Sequence, residues 1–122
     1  MSSKVALTIG AIAALLFGLA LAIAPAQMLG GFGLGVPPEA QVLSRDVGVT
    51  LLGLAVINWM ARDATGRTLR AILDGNLFVQ VLELLVNGWE IGAGILPAQA
   101  AGGLVIHLAL GVVFALGLRR AA

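Results

Sequence analysis

The sequence predicts an all-α protein, a four-transmembrane-helix up-down bundle that forms one integral membrane domain over residues 1–122. Sixty per cent of the residues are hydrophobic and 11% are charged, whereas soluble domains average roughly 45–50% and roughly 25%. Four apolar stretches each approach the ~20 residues that a transmembrane helix needs. The polar residues of the third stretch also recur with a helical period. A soluble domain of this size could not cover its surface with so few charges.

The composition excludes several classes of function. The net charge is +1 and the basic residues form no strong cluster, so we expect no nucleic-acid partner. The chain contains no cysteine, which excludes disulfides, thiolate metal ligands and thiol catalysis. Its single histidine is not part of a Glu-x-x-His pair, so we expect no metal site. The sequence identifies no catalytic residue and favours a role other than that of an enzyme.

We expect helices at about 5–24, 44–62, 74–96 and 102–119. The first carries no charge and ends before Pro25, because proline cannot continue a helix. A cleaved signal peptide is an alternative, since Lys4 precedes the apolar run, but signal cores span only roughly 7–15 residues. The second helix lies between Arg45 and Arg62, and the fourth closes at Arg119.

The segment 25–43 is expected to be a flexible loop at the membrane interface. It contains four glycines within 30–35, but no strand precedes them and no lysine follows, which disfavours a phosphate-binding loop. We expect Phe32 and Leu34 to touch the lipid boundary. Two prolines and Glu39 then fit the N-terminus of the second helix.

The distribution of Lys and Arg predicts the orientation in the membrane. An up-down order places the N-terminus, the 62–76 link and the C-terminus on one side, and that side holds six of the seven basic residues. The other side holds only Arg45. Since basic loops stay in the cytoplasm, we expect both termini to be cytoplasmic. In a bacterium the membrane would be the inner (plasma) membrane.

Small residues predict where the helices pack together. Helices in lipid associate through close backbone approach and internal hydrogen bonds, and small side chains at four-residue spacing mark such contacts. The packing candidates are Gly10 and Gly18 in the first helix, Gly48 and Asn58 in the second, and Gly111 in the fourth.

The third predicted helix carries the most informative pattern. Its polar residues follow each other at steps of four, three, four and three: Asn76, Gln80, Glu83, Asn87 and Glu90. This spacing places all of them on one helix face. A charge at the centre of a bilayer costs at least ~2.5 kcal/mol. We therefore expect this face to turn toward other helices or toward a wet cavity.

Matching the depths of neighbouring helices predicts a polar cluster in the outer half of the bundle. The second helix then brings Asn58 near the level of Asn76, and the fourth brings His107 near the level of Asn87. The candidate binding residues are Arg45, Asp46, Glu83, Asn87, Glu90 and His107. We expect Arg45 to pair with one of the two glutamates, and His107 to approach whichever carboxylate it reaches.

Three interpretations of this cluster remain open. In the first, which the sequence favours, the cluster is structural, because buried polar pairs often specify a helix arrangement. In the second, it lines a site for a quinone, an isoprenoid or another lipid, since Glu and His suit proton exchange with such a head. In the third, the chain is an accessory subunit of a larger membrane complex or a homo-oligomer. Trp59 and Trp89 would then be contact residues, although both also suit anchoring at the membrane interface.

Part of the second helix resembles a known family. The residues are RDVG at 45–48, LLGL at 51–54 and WMAR at 59–62. They are similar to the second helix of DoxX-like and DUF4345-like small four-helix membrane proteins, with Arg45, Asp46 and Gly48 at matching positions. The resemblance implies a four-helix membrane bundle. DoxX relatives include quinone-linked thiosulfate oxidation subunits, so it also implies a quinone or redox-partner role, although the absent cysteines remove one route to sulfur handling.

Overall fold

The computed structural model describes residues 1–121, and over this range the chain is helical without any strand. The prediction of an all-α fold is confirmed. The α-helices are α1 (Ser3–Ile23), α2 (Pro25–Gly31), α3 (Pro38–Met60), α4 (Gly66–Gly92) and α5 (Ala101–Leu118). Two short 3-10 turns, Ala61–Asp63 and Ala98–Ala100, precede α4 and α5.

Three parts of the described chain are long and apolar enough to cross a membrane. They are Ser3–Ile23, Pro38–Asp63 and Ala98–Leu118, with mean hydropathies of 2.5, 1.5 and 2.2. These are the properties of a membrane protein. The third predicted span, at 74–96, corresponds to α4, which has sufficient length at 27 residues but also holds two arginines, one aspartate and two glutamates.

The helix boundaries differ from the predicted ones mainly at the N-terminal ends of α3 and α4. α3 begins at Pro38 and not near residue 44, because proline suits the first turn of a helix and Glu39 is favourable there. α4 begins at Gly66 and not near residue 74, and ends at Gly92, shortly before Gly94 adopts a φ of +73°. An apolar stretch thus locates the hydrophobic part of a helix, whereas the helix itself continues into polar sequence.

The prediction of a flexible loop over residues 25–43 is wrong for its first part, which forms α2. Pro25 occupies the first helical position, where its missing N–H costs nothing. Gly33 then reverses the chain with a φ of +74°, and the Leu34 N–H donates to the Leu29 carbonyl at 3.0 Å. The Gln99 side chain, from the turn before α5, donates to the Gly31 carbonyl at 3.0 Å. The Gln99 contact holds the end of α2 against the turn that precedes α5.

α1 is the central helix of the packing. It lies against α3 along most of its length and against α5, while α4 packs mainly on α5. α3 and α4 hardly approach each other as backbones. The long helices therefore follow the spatial order α3, α1, α5, α4, with a gap between the first and the last.

The two ends of the molecule are packed differently. We call the end with both chain termini and the Ala61–Asp63 turn the termini end, and the opposite end the α2 end. The buried apolar cluster lies toward the termini end and consists of Ala6, Leu7, Ala61, Leu69, Leu73 and Phe114. There the Ser3 hydroxyl donates to the Gly117 carbonyl at 3.0 Å, and Lys4 Nζ lies 2.6 Å from Asp63 Oδ1. This half of the molecule is closed.

Glycines permit the closest approach of α1 to α3. A Cβ on Gly48 would lie 2.7 Å from the backbone nitrogen of Ala22 and 2.8 Å from the carbonyl oxygen of Gly18, distances that real Cβ atoms essentially never show. A Cβ on Gly10 would lie 2.5 Å from Phe114 Cζ. By contrast, a Cβ on Gly111 would meet Gln80 Cβ at an ordinary 3.6 Å.

We predict that Gly48→Ala lowers the free energy of unfolding by about 1–3 kcal/mol, because the added methyl group overpacks a backbone contact that cannot yield. Gly53→Ala is the matched control on the same helix, since its Cβ would meet nothing within 4 Å. The control should be neutral or stabilising by up to ~1 kcal/mol. Unfolding of both variants in detergent micelles, followed by circular dichroism, measures the difference. Equal effects would contradict the proposed contact.

Candidate functional site

A cavity of about 600 Å³ occupies the half of the molecule toward the α2 end. Most of its lining is apolar: Ala14, Phe17 and Leu21 from α1, Met28 and Leu29 from α2, Leu43, Val47 and Leu51 from α3, and Ile106 and Leu110 from α5. Phe32 and Leu34, from the segment after α2, also line it, so these side chains face the cavity. The volume lies within the ~300–1,000 Å³ that is typical of small-molecule sites.

Two features leave this space unfilled, namely the separation of α3 from α4 and the absence of a side chain on Gly103. α3 and α4 border its open side and hardly contact each other. In addition, Gly103 on α5 presents no side chain, and a Cβ there would meet nothing within 4 Å. α2 covers one end, and its attachment to Gln99 keeps it there.

One wall of the cavity is polar, and we call Gln80, Glu83, Asn87 and His107 the polar wall. His107 Nδ1 lies 2.8 Å from Gln80 Oε1, and Asn87 Nδ2 donates to Glu83 Oε2 at 2.9 Å. His107 Nε2 lies 4.0 Å from the same Glu83 oxygen. The wall is therefore a polar row with an amide at each end and a gap of 4.0 Å between His107 Nε2 and Glu83 Oε2.

The amides set which atoms of the polar wall face the gap. Because Gln80 offers its carbonyl oxygen to Nδ1, His107 donates from that nitrogen, and Nε2 is directed toward Glu83. The side chains of His107 and Glu83 are 26% and 46% exposed, although Gln80 beside them is buried. An imidazole nitrogen and a carboxylate oxygen are thus presented together to the interior of the cavity.

A second polar contact closes the molecule on the termini side of the cavity. Asn58 Nδ2 donates to Asn76 Oδ1 at 2.9 Å, and Asn76 Nδ2 donates back to Asn58 Oδ1 at 2.8 Å. Both side chains are buried, with residue exposures of 0% and 4%. This reciprocal amide pair joins α3 to α4 where their backbones otherwise stay apart.

The structure brings together only some of the candidate binding residues. Glu83, Asn87 and His107 line the cavity, whereas Arg45 and Asp46 are exposed on α3 and lie outside its lining. Glu90 is partly buried at the α2 end of α4 and also lies outside the lining. The expected ion pair of Arg45 with a glutamate is not among the ion pairs formed within residues 1–121.

Gln80 is the site residue that the candidate set lacked, although it belongs to the periodic polar row of α4. Its signal was its position three residues before Glu83, one helical turn away on the same face. Its hydrogen bond to His107 depends on how α5 is oriented about its own axis, and the spacing of residues in the sequence does not reveal that orientation.

The chemistry available at the polar wall is hydrogen bonding and proton exchange, by a carboxyl, an imidazole and two amides. Within residues 1–121, no three or more His, Asp or Glu side chains are placed to hold a metal ion. No protein-family model, curated protein or solved structure matches the chain.

We predict that Asn58 and Asn76 are energetically coupled. Asn58→Leu and Asn76→Leu should each lower the free energy of unfolding by about 1–3 kcal/mol, because each leaves one buried amide without its partner. The double variant should cost less than the sum by about 0.5–2 kcal/mol. Unfolding in micelles of the two single variants and the double variant measures this coupling. Asn87→Leu combined with Asn58→Leu is the control and should be additive, and an additive Asn58–Asn76 cycle would refute the pairing.

Proposed function

We propose that this chain is a four-span membrane protein that binds an amphipathic small molecule, such as a quinone, an isoprenoid or another lipid. The polar head would lie against the polar wall, and the apolar body would lie along α1 and α3. The observation that carries the proposal is the cavity of about 600 Å³ with apolar lining and a single polar wall. This combination is characteristic of sites for small amphipathic ligands.

The surface of α4 supports its assignment as a membrane span in addition to the three apolar helices. Beyond its charged first turns, its large exposed side chains are apolar and include Phe78, Leu85 and Trp89, while Asn76 and Gln80 are buried. At 1.5 Å per residue a helix of this length exceeds the ~30 Å hydrocarbon thickness of a bilayer. A span with polar residues directed inward is the usual arrangement where ionisable groups lie at membrane depth. The resemblance to DoxX-like proteins agrees with this plan.

The charges at the termini end support an orientation with both termini in the cytoplasm. That end holds six basic residues, which are Lys4, Arg62, Arg67, Arg70, Arg119 and Arg120. Such an excess is typical of the cytoplasmic side of a membrane protein. The α2 end and the cavity would then lie toward the opposite, outer side.

Contrast within the molecule favours a ligand site over a purely structural cluster. The Asn58–Asn76 pair is an example of a purely structural polar contact in this molecule, since both amides are buried and each satisfies the other. Glu83 and His107 differ, because both are partly exposed to a cavity and stand 4.0 Å apart. Groups that serve only to hold helices together gain nothing from such a gap.

An accessory-subunit role has less support from the tryptophans. The Arg62 guanidinium lies 3.3 Å from the centre of the Trp59 ring, and Arg62 Nε donates to the Trp59 carbonyl at 2.7 Å. This arrangement suits anchoring at the lipid interface, where the ring meets a cation and headgroups. Trp59 therefore has a role that needs no partner protein.

We predict that single cysteines reveal the four-span topology, because the unaltered chain has no cysteine. Thr65 and Ala93 are exposed at opposite ends of α4, so we choose the variants Thr65→Cys and Ala93→Cys. In sealed vesicles, a membrane-impermeant maleimide should label these two sites from opposite sides. Ser2→Cys should be labelled from the same side as Thr65→Cys. Labelling of both α4 ends from one side would contradict the fourth span.

We predict that filling the cavity abolishes ligand binding without weakening the fold. Gly103→Phe introduces a ring where a Cβ has open space, and Gly53→Phe is the control on the outside of α3. The probes are a short-chain benzoquinone and geranylgeraniol, added to purified protein in lipid nanodiscs. A probe at 100 times its Kd should stabilise the unaltered chain and the control by about 2.7 kcal/mol.

The Gly103→Phe chain should show no such stabilisation, while its unfolding midpoint without probe should match that of the control. Extraction of the purified proteins followed by mass spectrometry should also find less co-purified lipid in the filled variant. Equal stabilisation of Gly103→Phe and Gly53→Phe by the probes would refute the cavity as the binding site.

A further inference from the structure

We infer that the cavity selects an uncharged head that carries a hydroxyl group and discriminates against anionic heads and against heads that only accept hydrogen bonds. This inference rests on the proposed function and names the class of ligand for the same site. It follows from the distance between His107 and Glu83, from the charges that line the cavity, and from the amides that hold the polar wall.

The gap between His107 and Glu83 has the dimensions for one oxygen atom. His107 Nε2 and Glu83 Oε2 lie 4.0 Å apart, which is too long for a direct hydrogen bond. An oxygen about 2.8 Å from both atoms would subtend an angle of roughly 90° between them. A ligand oxygen can therefore contact both groups without any movement of α4 or α5.

A hydroxyl oxygen satisfies both groups, whichever one holds the proton. With the proton on His107 Nε2, the hydroxyl accepts from Nε2 and donates to the Glu83 carboxylate; with the proton on the Glu83 carboxyl, it accepts from that carboxyl and donates to Nε2. An ether, ester or ketone oxygen can only accept. Such a head leaves the Glu83 carboxylate without the donor that the hydroxyl would have supplied, and hydrogen bonds to charged groups are the more valuable ones.

The charges around the gap disfavour an anionic head. Glu83 and His107 are the ionisable side chains among the described residues that line the cavity, and none of these lining residues is Lys or Arg. A phosphate would thus meet the Glu83 carboxylate with no Lys or Arg nearby to offset the repulsion, and the charge of a protonated His107 would already be balanced by that carboxylate. The cavity is in this way protected from the anionic phospholipids and fatty acids that surround a membrane protein.

The amides prevent the polar wall from adapting to other heads. Asn87 Nδ2 holds Glu83 Oε2 at 2.9 Å, and Gln80 Oε1 holds His107 Nδ1 at 2.8 Å. Gln80 is buried, so its position is fixed by packing as well. The two groups that face the ligand are therefore preorganised.

Three probes with the same isoprenoid tail test this inference in nanodiscs of neutral lipid. They are geranylgeraniol, its methyl ether and geranylgeranyl phosphate, each titrated while the unfolding midpoint of the full chain is followed. The alcohol should bind roughly 10- to 100-fold more tightly than the ether, and the phosphate should bind more weakly still.

Glu83→Gln should reduce the preference for alcohol over phosphate by at least tenfold, because it removes the repelling charge and retains the shape. Glu39→Gln is the matched control, since Glu39 is exposed in the first turn of α3 and lies outside the cavity. The control should keep the preference of the unaltered chain. If Glu83→Gln does not fold, the order of the three probes on the unaltered chain decides the matter alone.

The outcomes separate this inference from the proposed function. Equal binding of the three probes, or tightest binding of the phosphate, overturns the inference and leaves an amphiphile site in place. Failure of all three isoprenoid probes, and also of a benzoquinol and its benzoquinone, to bind at the cavity overturns both. Comparison of geranylgeraniol with a benzoquinol and its oxidised benzoquinone then distinguishes an isoprenoid alcohol from a reduced quinone, and the benzoquinone should bind less tightly than the benzoquinol.

Discussion

The arrangement of this molecule depends on one constraint: the polar side chains along one face of α4 need hydrogen-bonding partners, which the neighbouring helices and α4 itself supply. Asn76, Gln80 and Glu83 lie on one helix face because of their spacing, and that face is directed toward the other helices. Two solutions occur along the same helix. Toward the termini end, Asn76 is paired with Asn58 and fully covered. Toward the α2 end, Glu83 faces a cavity and keeps a partner, Asn87, on its own helix.

The closed half and the open half need different residues at the helix contacts. In the closed half, Gly10 leaves room for the Phe114 side chain and Gly117 leaves room for the Leu73 side chain, and both side chains are buried in the interior. In the open half, Gly18 and Gly48 still bring α1 and α3 together, but α3 and α4 diverge. A rigid closed end that fixes the spacing of four helices can support an unfilled space at the other end, because the helices cannot collapse into it without breaking their contacts elsewhere.

The sequence predicted the helical content and the inward polar face, and it placed His107 near the level of the α4 glutamates without choosing between them, because these features depend on spacing along a helix and on depth. It did not predict that Arg45 would lie outside the cavity. Ser44 and Gly48 are turned toward α1, where the Ser44 hydroxyl donates to the Leu21 carbonyl at 3.4 Å. The next residue, Arg45, is rotated by about 100° from Ser44 around the helix axis. Depth matching contains no information about that rotation.

α2 was missed for a related reason. Its seven residues include two glycines and are too few for a periodic apolar pattern, so only Pro25 at the first helical position signalled a helix. The attachment of this helix is nonlocal: Gln99 is 68 residues from Gly31, whose carbonyl it binds. Propensity and periodicity describe segments of the chain one at a time, and the cover of the cavity is made by two segments that are distant in the sequence.

The choice of polar residue at each depth follows from access to a partner. An amide donates and accepts, so two asparagines can satisfy each other without net charge and can be completely buried. A carboxylate only accepts, and its desolvation is far more costly than that of an amide. It is stable at this depth where a donor can reach it, from Asn87 on one side and from the cavity on the other. The position of Glu83 at the cavity, and of amides where the helices close, is therefore the distribution expected if the open half is to receive a hydrogen-bonding molecule.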